Sequence, residues 1–286
     1  MLTYQSAFYE LKDYLRNLYD ERECVAISHD ILEYITSKNK IQRLIEKENG
    51  LTESELLLFD NCKIQLSLGT PLQYIIGKAW FYSYYFTVNS DVLIPRPETE
   101  ELVQWIIDDY KGNKQNTTIL DVGTGTACIS CSLQLKLPNA QVLSCDISEQ
   151  ALFVAKENTK NLGATVQLFQ MDFLDKNEWG KLGNFDILVS NPPYIPLNKK
   201  ADLHINVKDF EPEIALFVPT ENSLLFYIAL AQFGKSHLNT NASIYCELES
   251  ENAGACKILF EEWGYVDVEL KKDMHGNLRM LKANTN

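Results

Sequence analysis

Thr118-Ile119-Leu120-Asp121-Val122-Gly123-Thr124-Gly125-Thr126-Ala127 is the stretch whose reading decides the fold. A short apolar, β-branched run bounded by glycines reads as a buried strand, and residues 127–136 continue with helical spacing. Gly123 and Gly125 let the chain turn tightly and approach a ligand closely, and the helix that follows presents free N–H groups at its start. Asp146 ends the next apolar run, 141–145, where a carboxylate can accept both hydroxyls of a ribose. Together these residues point to an adenosine-type cofactor, with NAD and S-adenosylmethionine both open at this stage.

Working outward, helix and strand patterns alternate: helix 98–110, strand 118–122, helix 127–136, strand 141–145, helix 149–162, strand 165–170, strand 185–190. Such a series closes as a parallel sheet with helices on both faces and ligands at the carboxyl ends of its strands. Helix 223–238, strand 242–248, helix 251–263 and an antiparallel pair, 266–270 with 279–282, complete it. Upstream, Phe8, Leu11, Leu15 and Leu18, then Ile31, Leu32 and Ile35, then Leu56, Leu57 and Phe59 carry helical spacing. Thr52 with Glu55 forms a capping box before the last of these helices, and Gly69-Thr70-Pro71 ends it. The aromatic run 80–88 reads as a hairpin. The expected division is a helical bundle at 1–76, a β-hairpin linker at 77–97 and an α/β domain at 98–286.

The 286 residues carry a net charge of −13, and the pI is near 4.8. That balance argues against a broad phosphate-binding face, so no direct nucleic-acid partner is expected. The seven cysteines are scattered through apolar stretches, as buried reduced thiols would be. Cys128 and Cys131 form a C-x-x-C pair with no second pair and no nearby histidine, so no metal is expected. Charges within the first 25 residues interrupt any signal-peptide core, and no run reaches membrane-spanning length. A cytoplasmic monomer without membrane association is the expectation.

Three details favour the methyl donor over the dinucleotide. Cys128 replaces the third glycine of the dinucleotide fingerprint and would crowd a pyrophosphate, which S-adenosylmethionine lacks. Met171-Asp172-Phe173 follows the third strand, where Asp172 can accept from an adenine amino group and Phe173 can cover the ring. Asn191-Pro192-Pro193-Tyr194 ends the fourth strand, where the reactive end of the cofactor should point. Prolines cannot extend a sheet ladder and hold their carbonyls rigidly. That set of acceptors beside an aromatic ring suits a planar amide or amine.

Gly123-Thr124-Gly125-Thr126, Asp146, Asn191-Pro192-Pro193-Tyr194 and Leu93-Ile94-Pro95-Arg96-Pro97-Glu98-Thr99-Glu100 resemble the protein-glutamine methyltransferases of peptide chain release factors, the HemK/PrmC family. The resemblance extends to residues 69–77, to Glu211-Pro212-Glu213-Ile214-Ala215-Leu216, and to Asp273, Gly276 and Arg279. It implies a Rossmann-like, seven-stranded class I methyltransferase domain behind a small helical domain that grips the protein substrate. It implies S-adenosylmethionine held by Asp121, Gly123, Thr124, Gly125, Thr126, Ala127, Asp146, Asp172, Phe173 and Asn191, and release factors as substrate. The acceptor glutamine would meet Asn191, Pro192, Pro193 and Tyr194, with Asn191, Pro192 and Tyr194 catalytic. The chain departs from the family pattern at 218–223 and at 247–251, both expected to lie away from the methyl-transfer pocket. The competing readings are methylation of a ribosomal-protein glutamine or a nucleobase amine, and a non-catalytic binding protein on the same fold. A dehydrogenase is disfavoured by Cys128.

Overall fold

The computed structural model describes residues 1–112 and 116–286, and these divide into two compact units. The first comprises Met1–Gly77 with Ile205–Phe210, and the second Lys78–His204 with Glu211–Asn286.

Four helices of the first unit, Tyr4–Leu15, Glu21–Thr36, Lys40–Ile45 and Glu53–Ser67, each begin at a side-chain cap. Thr3, Asp20, Asn39 and Thr52 accept from backbone N–H groups that a helix start leaves unpaired. Leu11, Leu15, Cys24, Ile31, Leu32, Phe59, Cys62 and Leu66 fill the core. Leu18 and Leu57, expected inside, are 44% and 74% exposed. Leu18 lies beyond the end of its helix. In the run Leu56-Leu57-Leu58 the side chains cannot share one helix face, and the spacing of Phe59, Cys62 and Leu66 sets the phase.

The second unit is built on a seven-stranded sheet: β1 (Thr118–Val122), β2 (Gln141–Asp146), β3 (Val166–Gln170), β4 (Phe185–Ser190), β5 (Leu238–Glu247), β6 (Val266–Lys272) and β7 (Leu278–Asn284). Their spatial order is β6-β7-β5-β4-β1-β2-β3, parallel except that β7 runs antiparallel to both neighbours. The side-chain period of two sends alternate residues to opposite layers. Ile119, Ile187 and Val189 pack towards Leu102, Ile106 and Leu133 of one layer, and Leu120 and Leu188 towards Leu230, Phe233 and Phe260 of the other.

The hairpin Lys78–Phe81 with Tyr84–Thr87 belongs to this unit, with Phe81 and Phe86 fully buried in its core. Asn158 of helix Glu149–Leu162 accepts from Thr87 N at 2.7 Å and donates to the carbonyls of Thr87 and Thr126, each at 3.0 Å. One side chain thereby joins the hairpin to the turn after β1. Two element starts differ from expectation. Ala127 takes a left-handed conformation, φ 62°, so the helix begins at Cys128. β5 begins at Leu238, earlier than expected, because a register shift around Asn241, at φ 59°, carries the polar residues 239–241 within the strand.

Gly234 lies within helix Leu225–His237, where alanine is ordinarily favoured by about 1 kcal/mol. Here a Cβ would collide with the Tyr265 hydroxyl and stand 2.9 Å from Leu238 Cδ1 and 3.0 Å from Ile244 Cδ1. That hydroxyl is held in place by donating to Ala231 O at 2.7 Å. Gly234→Ala is therefore expected to destabilise by about 1–3 kcal/mol, reversing the helix-propensity sign. Urea unfolding of the purified chain measures this, and a more stable variant would refute the packing argument.

Candidate active site

The strand order reverses beside β1, which pairs with β2 on one side and with β4 on the other. At such a switch point the loops leaving the carboxyl ends diverge and open a crevice. A cavity of about 330 Å³ occupies it, walled by Gly123 and Gly125 after β1, Asp146 at the end of β2, Asp172 and Phe173 after β3, and Asn191, Pro192 and Pro193 after β4.

The turn after β1 is built from beneath. Gly123 and Gly125 have φ of 73° and 52°, and a Cβ on either would meet nothing within 4 Å. Their backbone therefore faces the cavity unobstructed. Asp146 holds this turn, accepting from Gly125 N at 2.8 Å through Oδ2 and from Ser148 N at 3.0 Å through Oδ1. Each oxygen keeps a second lone pair for a ligand hydroxyl. Burial raises the pKa of this carboxyl, opposed by those backbone donors. Asp121, fully buried under the turn, does not line the cavity. Its Oδ2 accepts from Thr124 Oγ1 at 2.7 Å, its Oδ1 has no partner among the described residues, and burial pushes its pKa up to about 7. Thr124, Thr126 and Ala127 are also buried and shape the turn.

Asp172 lines the cavity while its Oδ1 caps Leu174 N at 2.9 Å. Phe173 belongs both to the cavity wall and to the core. It lines the cavity, yet its ring packs on Trp179 and Phe233, with centroids at 5.7 and 5.2 Å. All seven cysteines are buried and unpaired. Among the described residues no three His, Cys, Asp or Glu side chains converge as a metal site would require.

A further part of the wall comes from a segment whose local structure the sequence did not announce. Ile195–Pro196 pairs with Phe217–Val218, and Pro212, Ile214, Ala215, Phe217 and Pro219 line the cavity. Arg96 and Glu211 fasten it with an ion pair of 2.6 Å, in which Glu211 is only 2% exposed. Two separated sequence motifs are thus physically one clamp.

Asn191 donates through Nδ2 to Thr99 Oγ1 at 3.0 Å, and Thr99 donates to Glu247 Oε2 at 2.6 Å. Tyr194 donates to Glu247 Oε1 at 3.2 Å. Glu247, at the carboxyl end of β5 and 1% exposed, has its pKa raised to about 6 by burial, opposed by Thr99, Arg279 and Tyr194. Tyr194 does not line the cavity that holds Asn191. It borders an adjoining one of about 360 Å³ with Lys199, Glu249, Glu251 and Arg279. The expectation that 218–223 and 247–251 lie away from the pocket is corrected: Pro219 is part of its wall, and Glu247 is one side chain removed from Asn191. The available signal was a glutamate closing an apolar run, in the position that Asp146 holds on β2.

Residues 100–208 match the family model described as Methyltransferase small domain. A release factor glutamine methyltransferase of Flavobacterium psychrophilum is 36% identical over 272 residues, covering 94% of this chain and 95% of the relative. One of Bacteroides thetaiotaomicron, also 36% identical, covers 96% and 97%. The crystal structure of a methyltransferase from Pyrococcus furiosus, 16% identical, superposes with a TM-score of 0.50 over 70% of this chain and 88% of that one, a likeness of fold. With more than a third of its residues shared along nearly its whole length, and with the turn, carboxylate and amide assembled at one crevice, this chain belongs to the release factor glutamine methyltransferase family.

Proposed function

We propose that this chain transfers a methyl group from S-adenosylmethionine to the side-chain amide nitrogen of a glutamine in a peptide chain release factor. The observation that carries the reading is the Asn191 amide. One hydrogen of its NH₂ group is donated to Thr99, which turns its oxygen away from Thr99 as an acceptor at a cavity it shares with Asp146 and the glycine turn.

The residues present fit the cofactor. Gly123 and Gly125 offer open backbone, Asp146 has lone pairs for ribose hydroxyls, and Asp172 and Phe173 form the side assigned to adenine. When bound, S-adenosylmethionine supplies a methyl group made electrophilic by the adjacent sulfonium.

A glutamine side-chain nitrogen is a weak nucleophile because its lone pair is delocalised into the carbonyl. Asn191 Oδ1 and the Pro192 carbonyl each accept one of its hydrogens, which sets the nitrogen's direction. Positive charge grows on that nitrogen as the new N–C bond forms, so both acceptors bind more strongly towards the transition state. Orientation can supply on the order of 7–11 kcal/mol. A single charge-assisted hydrogen bond contributes only about 1.5–3 kcal/mol, so positioning dominates. The surplus proton leaves the methylated nitrogen to an adjacent carbonyl oxygen or to water, and no strong base is required. Tyr194, packed against the core and tied to Glu247, supports this reading as the aromatic ring beside the acceptor amide. Recognition of the protein substrate by the helical region, residues 1–76, belongs to the same proposal.

The test is methylation of a purified release factor by the purified chain, with the modified residue mapped by mass spectrometry. Label on a glutamine side chain supports the proposal, and label confined to nucleic acid or to another protein would overturn it. Asn191→Ala is expected to lower kcat by about 10²- to 10³-fold while calorimetric affinity for S-adenosylmethionine is retained. Asp146→Ala is expected to weaken that affinity by about 10- to 100-fold, since two ligand hydrogen bonds and the support of Gly125 are lost together. Equal affinity would remove Asp146 from the ribose role.

A further inference from the structure

We propose that Glu247 is a positioning residue which, acting through Thr99, determines which end of the Asn191 amide faces the acceptor. This rests on the glutamine-methylating reading of the site. Thr99 and Glu247 are 2% and 1% exposed, so their hydrogen bonds do not exchange freely with bulk water.

The inference follows from counting protons. A carboxylate has none to give, so Thr99 at 2.6 Å and Tyr194 at 3.2 Å must both donate to Glu247. Thr99 has a single hydroxyl proton. Once that proton is committed to Glu247, Thr99 can only accept from Asn191, which selects the orientation with Nδ2 at 3.0 Å and Oδ1 turned away. Protonated Glu247 inverts the relay. It can donate to Thr99, whose own proton is then released towards Asn191, and the amide gains by turning its oxygen to Thr99. The NH₂ group would then face the NH₂ of the incoming glutamine, donor against donor.

The surroundings of Glu247 place this change in the mildly acidic range. Burial and Glu98 of helix Pro97–Tyr110 favour the protonated form, while Thr99, Arg279 of β7 and Tyr194 favour the ionised one, bringing the carboxyl to about 6. Tyr227 of helix Leu225–His237 adds no charge and donates to the Glu247 backbone carbonyl at 3.1 Å. Arg96, whose charge reaches Tyr194, is committed to Glu211. A lone acid at the end of β5 thereby governs the chemistry at the end of β4 through one shared hydroxyl.

The experiment measures kcat, the release-factor KM and calorimetric affinity for S-adenosylmethionine from about pH 5 to 9 in the wild type and in Thr99→Val, Thr99→Ser and Glu247→Gln. The wild type should lose kcat as pH falls below about 6, approaching tenfold per unit, as Glu247 takes up its proton. Thr99→Val should lower kcat at least about tenfold, the worth of one buried hydrogen bond, with cofactor affinity within about twofold. Thr99→Ser, which keeps the hydroxyl, should recover most of that loss. Glu247→Gln cannot titrate, so it should lose the acidic limb while its kcat at pH 8 falls by less than about tenfold. Wild-type kcat in Thr99→Val, or an unaltered acidic limb in Glu247→Gln, overturns the proposal. A wild type that methylates no release-factor glutamine counts instead against the reading of the site. Retained cofactor affinity in each variant separates lost positioning from lost folding.

Discussion

The parallel pairing of β1 with β2 on one side and β4 on the other is the constraint on which the rest of the site depends. The loops after β1 and β4 must part because the helices they enter lie on opposite layers of the sheet. The cavity is the space left by that parting. Gly123, Asp146, Asp172 and Asn191 reach it because each follows or ends a strand whose register is locked by its neighbour. Slipping one strand by a single residue would exchange its buried layers and remove its contribution to the cavity.

Within that frame the polar chemistry is concentrated in buried acids. Asp121 under the turn, Asp146 at the β2 end and Glu247 at the β5 end all have raised pKa values, with burial as the leading cause in each. Asp146 and Glu247 use their oxygens to order the cavity wall: Asp146 accepts from Gly125 N–H, and Glu247 accepts from Thr99, which in turn accepts from the Asn191 amide. Asp121 stands apart, with one oxygen that has no partner among the described residues. Arg96 with Glu211 is the oppositely charged counterpart, a clamp that closes the wall contributed by the segment between β4 and β5. An unpaired buried carboxylate is costly, and this pairing offsets that cost at the point where the wall is attached.

Much of this was legible in the residues. β1 and β4 and helix Glu149–Leu162 fall where their apolar patterns end, because glycine, proline and capping residues punctuate them. The glycine turn, Asp146 and Asn191 were readable because each lies at the end of such a run. Thr99 and Glu247 were harder to read. Thr99 sits in the first turn of helix Pro97–Tyr110, where a local helix-start explanation suffices, and nothing near it in sequence foretells a bond to residue 247. The segment from 195 to 219 was illegible for a related reason, since its two-residue strands are sustained by each other and by the cavity wall rather than by propensity.

The sequence by itself determined the order of the principal strands and helices, the acidic character, the glycine turn and the tetrapeptide Asn191-Pro192-Pro193-Tyr194, all of which depend on contiguous residues. Tertiary structure alone decided that Asn191, Thr99, Glu247 and Tyr194 share one hydrogen-bonded chain, that Asp121 is structural support beneath the turn, and that Tyr194 borders a cavity adjacent to the one holding Asn191. Periodicity reports which face of an element is buried. The single-proton logic of a threonine between an amide and a carboxylate exists only once three distant segments meet, with Asn191 Nδ2 at 3.0 Å and Glu247 Oε2 at 2.6 Å from Thr99 Oγ1.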